Sequence, residues 1–170
     1  MMNKPSEKIT NIEMLENSSE NLSPENKQER AIAIYDLIEN NSFSLIGHHG
    51  PYHLFLSRES RHLLFDIRSE QNDFLNSFYL AMGPFRKIVR DYKQICESYY
   101  EAIRTKPPSQ IQAVDVGRKA LHDEGALLVK ERLDGKIDLD DETARRLFTL
   151  ICILRSRWGS YKNGRQSINP

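Results

Sequence analysis

From residue 24 onward the apolar positions of this chain recur at intervals of three and four, except between residues 43 and 80, where they tend to alternate. The first spacing marks one face of an α-helix, the second a half-buried strand. A first helix is expected over Pro24–Asn40, with Ser23 as N-cap, Pro24 at the first helical position and Glu25 in the first turn. Ala31, Ile34, Tyr35 and Ile38 form its apolar stripe, and Asn40-Asn41 ends it.

The alternating region holds a short apolar run, Phe43 to Ile46, then three strand candidates: Tyr52 to Leu56, His62 to Arg68 and Phe74 to Leu80. Leu63, Phe65 and Ile67 face one way in the second candidate, and Asp66 and Arg68 the other. Gly47-His48-His49-Gly50-Pro51 is a turn by composition. The connectors Ser57 to Arg61 and Ser69 to Asp73 are too short for parallel crossovers, so an antiparallel meander follows. Upstream, Lys8 to Met14 alternates weakly, with Thr10, Ile12 and Met14 on one side, and is expected as an edge strand. Asn17 to Ser23 reads as a flexible connector.

The second half is helical. A helix over Pro84–Thr105 carries Phe85, Ile88, Tyr92, Ile95, Cys96, Tyr99 and Ile103 on one face. A run of ~20 residues makes a rod of roughly 30 Å. Pro107-Pro108 stops it, because neither ring offers an amide hydrogen. Ser109 is the expected cap of the next helix, Ser109–Asp134, with the stripe Ile111, Val114, Gly117, Leu121, Gly125 and Leu128. Its inward glycines predict a close backbone approach to a neighbour. Gly135 ends it, Lys136 to Leu139 is a short added strand, and Asp140 or Asp141 caps a last helix, Asp141–Arg157. Ala144, Leu147, Phe148, Ile151 and Leu154 are its buried stripe.

The fold class is therefore α+β: a small antiparallel meander with about four α-helices, the long central and C-terminal ones packed on one face of the sheet. Residues 1–22 read as a flexible polar lead with the edge strand, 23–157 as one domain, and 158–170 as a disordered polar tail. A chain of 170 residues suits that single domain.

Charge narrows the function. Lys plus Arg number 24 and Asp plus Glu 24, which disfavours a general nucleic-acid binder. The basic edge Arg86, Lys87, Arg90 and Lys93 is interrupted by Asp91 and followed by Glu97. The opening residues show no apolar run, and no stretch approaches the ~20 apolar residues of a membrane span. A cytoplasmic protein without membrane contact is expected. Cys96 and Cys152 fall on or near apolar helix faces, where a reduced cysteine packs as a small hydrophobe.

Phosphate loops, Gly-rich dinucleotide turns, CxxC pairs, zinc helices and nucleophile elbows are all missing from the sequence. Asp134 to Asp138 resembles the middle of a calcium loop, but the alignment puts Lys130 and Arg132 at ligand positions, and cations cannot ligate calcium. His48, His49 and His53 read as a solvated turn, so no metal or other cofactor is expected. On the third helix, Asp115, Arg118, Lys119 and His122 share a face at spacings of three, four and seven. On the second, Arg90, Glu97, Glu101 and Arg104 line a polar strip, with Arg145 or Arg146 of the last helix as the expected cation for Glu97 and Glu101. If these residues converged they would form a pocket for an anionic ligand: Arg90, Glu97, Glu101, Arg104, His122, Arg145 and Arg146. Otherwise they are ion pairs on solvated faces.

Four stretches carry a resemblance: Glu29 to Leu37 (ERAIAIYDL), Ile95 to Arg104 (ICESYYEAIR), Pro108 to Ile111 and Thr143 to Cys152 (TARRLFTLIC). By these the chain resembles uncharacterised protein family 0262, small alphaproteobacterial proteins. The resemblance covers most of the chain and implies a bacterial protein, with no activity attached. The reading that fits best is a non-catalytic interaction module that self-associates, with Tyr92 and Tyr100 exceeding what one core can bury. The alternative is a small enzyme or ligand-binding protein for an anionic metabolite.

Overall fold

A computed structural model describes the backbone of residues 6–15 and 24–168, and side chains as far as Leu154. Ser23 and the connector from Asn17 lie outside the described residues. The elements run β1 (Ile9–Leu15), α1 (Pro24–Glu39), β2 (Phe43–Leu45), β3 (Tyr52–Glu59), β4 (His62–Ser69), β5 (Phe74–Ala81), α2 (Arg86–Thr105), α3 (Pro108–Leu133), β6 (Ile137–Leu139) and α4 (Asp141–Ile168). A 3-10 turn, Gly83–Phe85, leads into α2.

The architecture is α+β, as expected, with one correction. The sheet has order β1-β3-β4-β5, and β1 runs parallel to β3, so the sheet is mixed. Only β3, β4 and β5 form the antiparallel meander. The lead that joins β1 to β3 contains all of α1, which is long enough for a crossover. A bulge between Ile9 and Asn11 also shifts the strand's faces. Ile9 and Ile12 are buried, and Thr10 leaves the row it was expected to share with Ile12 and Met14. β2 and β6 pair antiparallel as a separate two-stranded ribbon.

One face of the main sheet makes the core. Tyr52, Leu54 and Leu56 of β3, and Leu63, Phe65 and Ile67 of β4, are buried in one cluster with Leu37, Phe85, Val89, Val129, Leu133, Leu147, Phe148 and Leu150 from the helices. α4 presents the stripe expected of it, with Ala144, Leu147, Phe148, Ile151 and Leu154 all buried. Asp140 is its cap, accepting the Thr143 N–H at 2.9 Å. The helix continues past Arg157 to Ile168, into the segment expected to be a polar tail.

Three helix expectations shift. In α1 the buried residues are Ala33 and Leu37, while Ala31 and Tyr35 face solvent. In α3 the cap is Pro107 and the helix opens at Pro108, so Ser109 lies inside it. In α2 only Val89 and Ala102 are fully buried, because α2 lies against α3 on the outer side of the bundle. The close approach expected at the α3 glycines is present. A Cβ on Gly125 would meet the ring of Phe148, and one on Gly117 would lie 2.8 Å from the Ile95 side-chain tip.

Candidate functional site

The seven polar residues singled out by spacing do not surround one cavity. Arg90 is exposed and lies 3.8 Å from Asp91. Arg104 pairs with Glu101 at 2.6 Å, within α2. Arg145 turns to Asp123 and Glu142, at 2.8 and 3.0 Å. Arg146 donates to the Asn40 carbonyl at 2.6 Å, tying α4 to the end of α1. Glu97 and Glu101 do share a crevice between α2 and α3, but Arg145 and Arg146 point elsewhere.

His122 goes inward. Its Nε2 lies 2.9 Å from Thr149 Oγ1, and its ring packs between Tyr92 and Phe148 at 5.2 and 5.5 Å. Thr149 directs its own hydroxyl hydrogen to the Arg145 carbonyl, at 3.2 Å, so Nε2 carries the hydrogen of a neutral imidazole. Burial pushes the His122 pKa below the usual histidine value, with a further push from Arg145 and Arg118 against the pull of Asp123. Asp115 and Arg118 stay on the helix surface as an ion pair at 2.5 Å, which Lys119 joins at 3.3 Å. Arg118 also stacks over the Tyr99 ring at 4.8 Å. Burial raises the Tyr92 hydroxyl, the Cys96 thiol and the Cys152 thiol, so none of the three is set up as a nucleophile at neutral pH.

Two features that spacing does not reveal stand out. The first is a groove of about 430 Å³ between α1 and α2, floored by α4. α1 contributes Asn26, Glu29, Ile32, Ala33 and Asp36; α2 contributes Tyr92, Lys93, Cys96, Glu97 and Tyr100; Thr149, Cys152 and Ile153 close the bottom. Tyr92 is packed against the core, contrary to the expected surplus, while Tyr100 is 67% exposed.

The second is the free edge of β5. Among the described residues this strand pairs on one side only, with β4. Its sequence, FLNSFYLA, carries no charge and no proline, and Phe74 and Tyr79 are 64% and 56% exposed. Natural edge strands are usually blunted by charge, proline or a covering element. β5 has a bulge near its start, opposite Ile67 and Arg68, and regular pairing from Asn76 to Ala81. The opposite edge is guarded: β1 bears Glu13, and the Asn41 side chain caps Ile9.

A third node, Glu7, also escaped the sequence pattern. It accepts from the Gly50 N–H and the Ser44 hydroxyl, each at 2.9 Å, and holds the turn before β3 against β2. Burial acts to raise its pKa, but these hydrogen bonds and His49 hold it below the usual carboxylate value. His48 and His49 are exposed in that turn. Among the described residues no helix is long and apolar enough to cross a membrane.

The model of an uncharacterised protein family, UPF0262, matches residues 6–157. A UPF0262 protein of Cereibacter sphaeroides is 49% identical over 158 residues, covering 89% of this chain and 99% of its own. One from Hyphomonas neptunium is 53% identical, covering 80% of this chain and 85% of its own. One from Rhodospirillum rubrum is 48% identical, covering 91% and 96%. No solved structure matches the chain.

Proposed function

The chain belongs to the uncharacterised protein family UPF0262, and we propose that it is a non-catalytic, cytoplasmic interaction module that assembles with a second copy of itself through the edge of β5. The observation that carries this reading is the uncharged strand Phe74–Ala81, paired on one side among the described residues and bearing two exposed aromatic rings. An unsatisfied row of main-chain donors and acceptors favours a partner strand. Antiparallel pairing of two identical strands about a two-fold axis satisfies both and closes the assembly. The absence of charge on β5 means that its own copy meets no like-charge repulsion there.

The case against catalysis is chemical. The thiols are pushed towards their protonated forms, His122 is held between aromatic rings, and the charged candidates pair locally on separate surfaces. The enzyme reading for an anionic metabolite gains no support from that placement. A cytoplasmic location is consistent with two cysteines that remain free thiols. Light scattering on purified protein at tens of micromolar is the test. A dimer is expected, and a monomer would contradict the proposal.

A further inference from the structure

We propose that the groove between α1 and α2 is a binding site for a small organic cation, an amine attached to an apolar or aromatic body. The site is complete within one chain and does not depend on pairing through β5. Its volume, about 430 Å³, falls in the range of small-ligand sites, roughly 300–1,000 Å³.

The lining dictates the ligand. The floor offers apolar surface and the buried Cys152 thiol, which is free. Glu29, Asp36 and Glu97 stand on the two walls, with Lys93 as the single cation among the described lining residues. That balance repels an anion and favours a positive charge at the rim. Tyr100 adds an exposed aromatic ring on one wall, and a ring beside carboxylates is the surface that attracts an ammonium group. The apolar body enters between the helices, and the amine stays at the carboxylate rim.

The test is an NMR titration of the full-length protein with phenethylamine, and with 2-phenylethanol and phenylacetate as neutral and anionic counterparts. The expected result is saturable amide shifts at Ala33, Cys96, Tyr100 and Cys152, with phenethylamine binding about tenfold tighter than 2-phenylethanol and phenylacetate weaker still. The double substitution Asp36→Asn and Glu97→Gln, both at exposed positions, removes the preference for the amine and leaves 2-phenylethanol unchanged. Equal binding of the three probes, shifts that map outside the groove, or no saturable shift from either phenethylamine or benzyltrimethylammonium overturns the proposal.

Discussion

The side-chain amide of Asn41 brackets the main chain of Ile9: Oδ1 accepts its N–H at 2.8 Å, and Nδ2 donates to its carbonyl at 3.0 Å. The same Nδ2 donates to the Leu37 carbonyl at 2.8 Å, at the end of α1. One side chain thus caps the outer edge of β1 at Ile9 and ties that strand to the end of α1, the helix that follows it. Nothing equivalent is seen along β5 among the described residues, and this asymmetry between the two edges underlies the assembly proposed above.

Asn41→Ala leaves the Ile9 and Leu37 groups half-buried without their partner. A loss of about 1–3 kcal/mol is expected, the usual cost of orphaned main-chain polar groups. Urea unfolding measures it. A change near zero would show that water replaces the amide.

Gly125→Ala places a methyl group inside the ring of Phe148. Overpacking of this kind costs about 1–3 kcal/mol. Gly117→Ala should cost less, since the obstacle is the tip of the Ile95 side chain, which can turn aside. Thermal unfolding of the two variants side by side checks the order. An equal or reversed order would contradict the packing described for the α3 glycines.

His122 makes stability pH-dependent with a defined sign. Its folded pKa lies below the usual value because burial disfavours the charged ring. As pH falls, the unfolded chain therefore takes up this proton first. The contribution is complete above the unfolded pKa of ~6.5 and declines below it. His122→Gln should flatten the stability profile between about pH 7 and pH 5. The lowered carboxyls of Glu7, Asp91, Asp115 and Asp141 act in the same direction, but only in the carboxylate range. An unchanged profile in the variant would remove His122 as the cause.

Ser77→Lys puts a charge in the middle of the exposed β5 edge. Across a two-fold axis it meets its own copy, and like charges across neighbouring strands are destabilising. The variant should be monomeric in light scattering, with the stability of its isolated fold changed by no more than about 0.5 kcal/mol. A variant that remains dimeric would place the interface elsewhere.

β3, β4 and the whole stripe of α4 are legible because each has a single apolar periodicity. α1 is not. Its run Ala31 to Ile38 is apolar on several sides, so spacing admits both the Ala31–Tyr35 face and the Ala33–Leu37 face. Packing on α4, together with the Arg146 bond to Asn40, selects the second. The edge strand β1 was legible, but its parallel pairing with β3 and its bulge were not, and the β2–β6 pairing joins segments with no local signal of partnership. Residue spacing identified polar faces but could not tell which residues turn inward, so His122 was grouped with Lys119 although His122 packs between Tyr92 and Phe148 while Lys119 stays exposed. The groove depends on the relative rotation of three helices. The weak point of β5, its lack of charge, was present in the sequence, but its importance depends on the strand lying at an edge.

Hydrogen exchange along Phe74–Ala81, followed at two protein concentrations, tests the assembly most directly. At about 50 μM the β5 amides should be protected, and dilution to ~0.5 μM should release those that face the partner while β4 stays protected. Fast exchange of the outer β5 amides at both concentrations would contradict pairing through this strand.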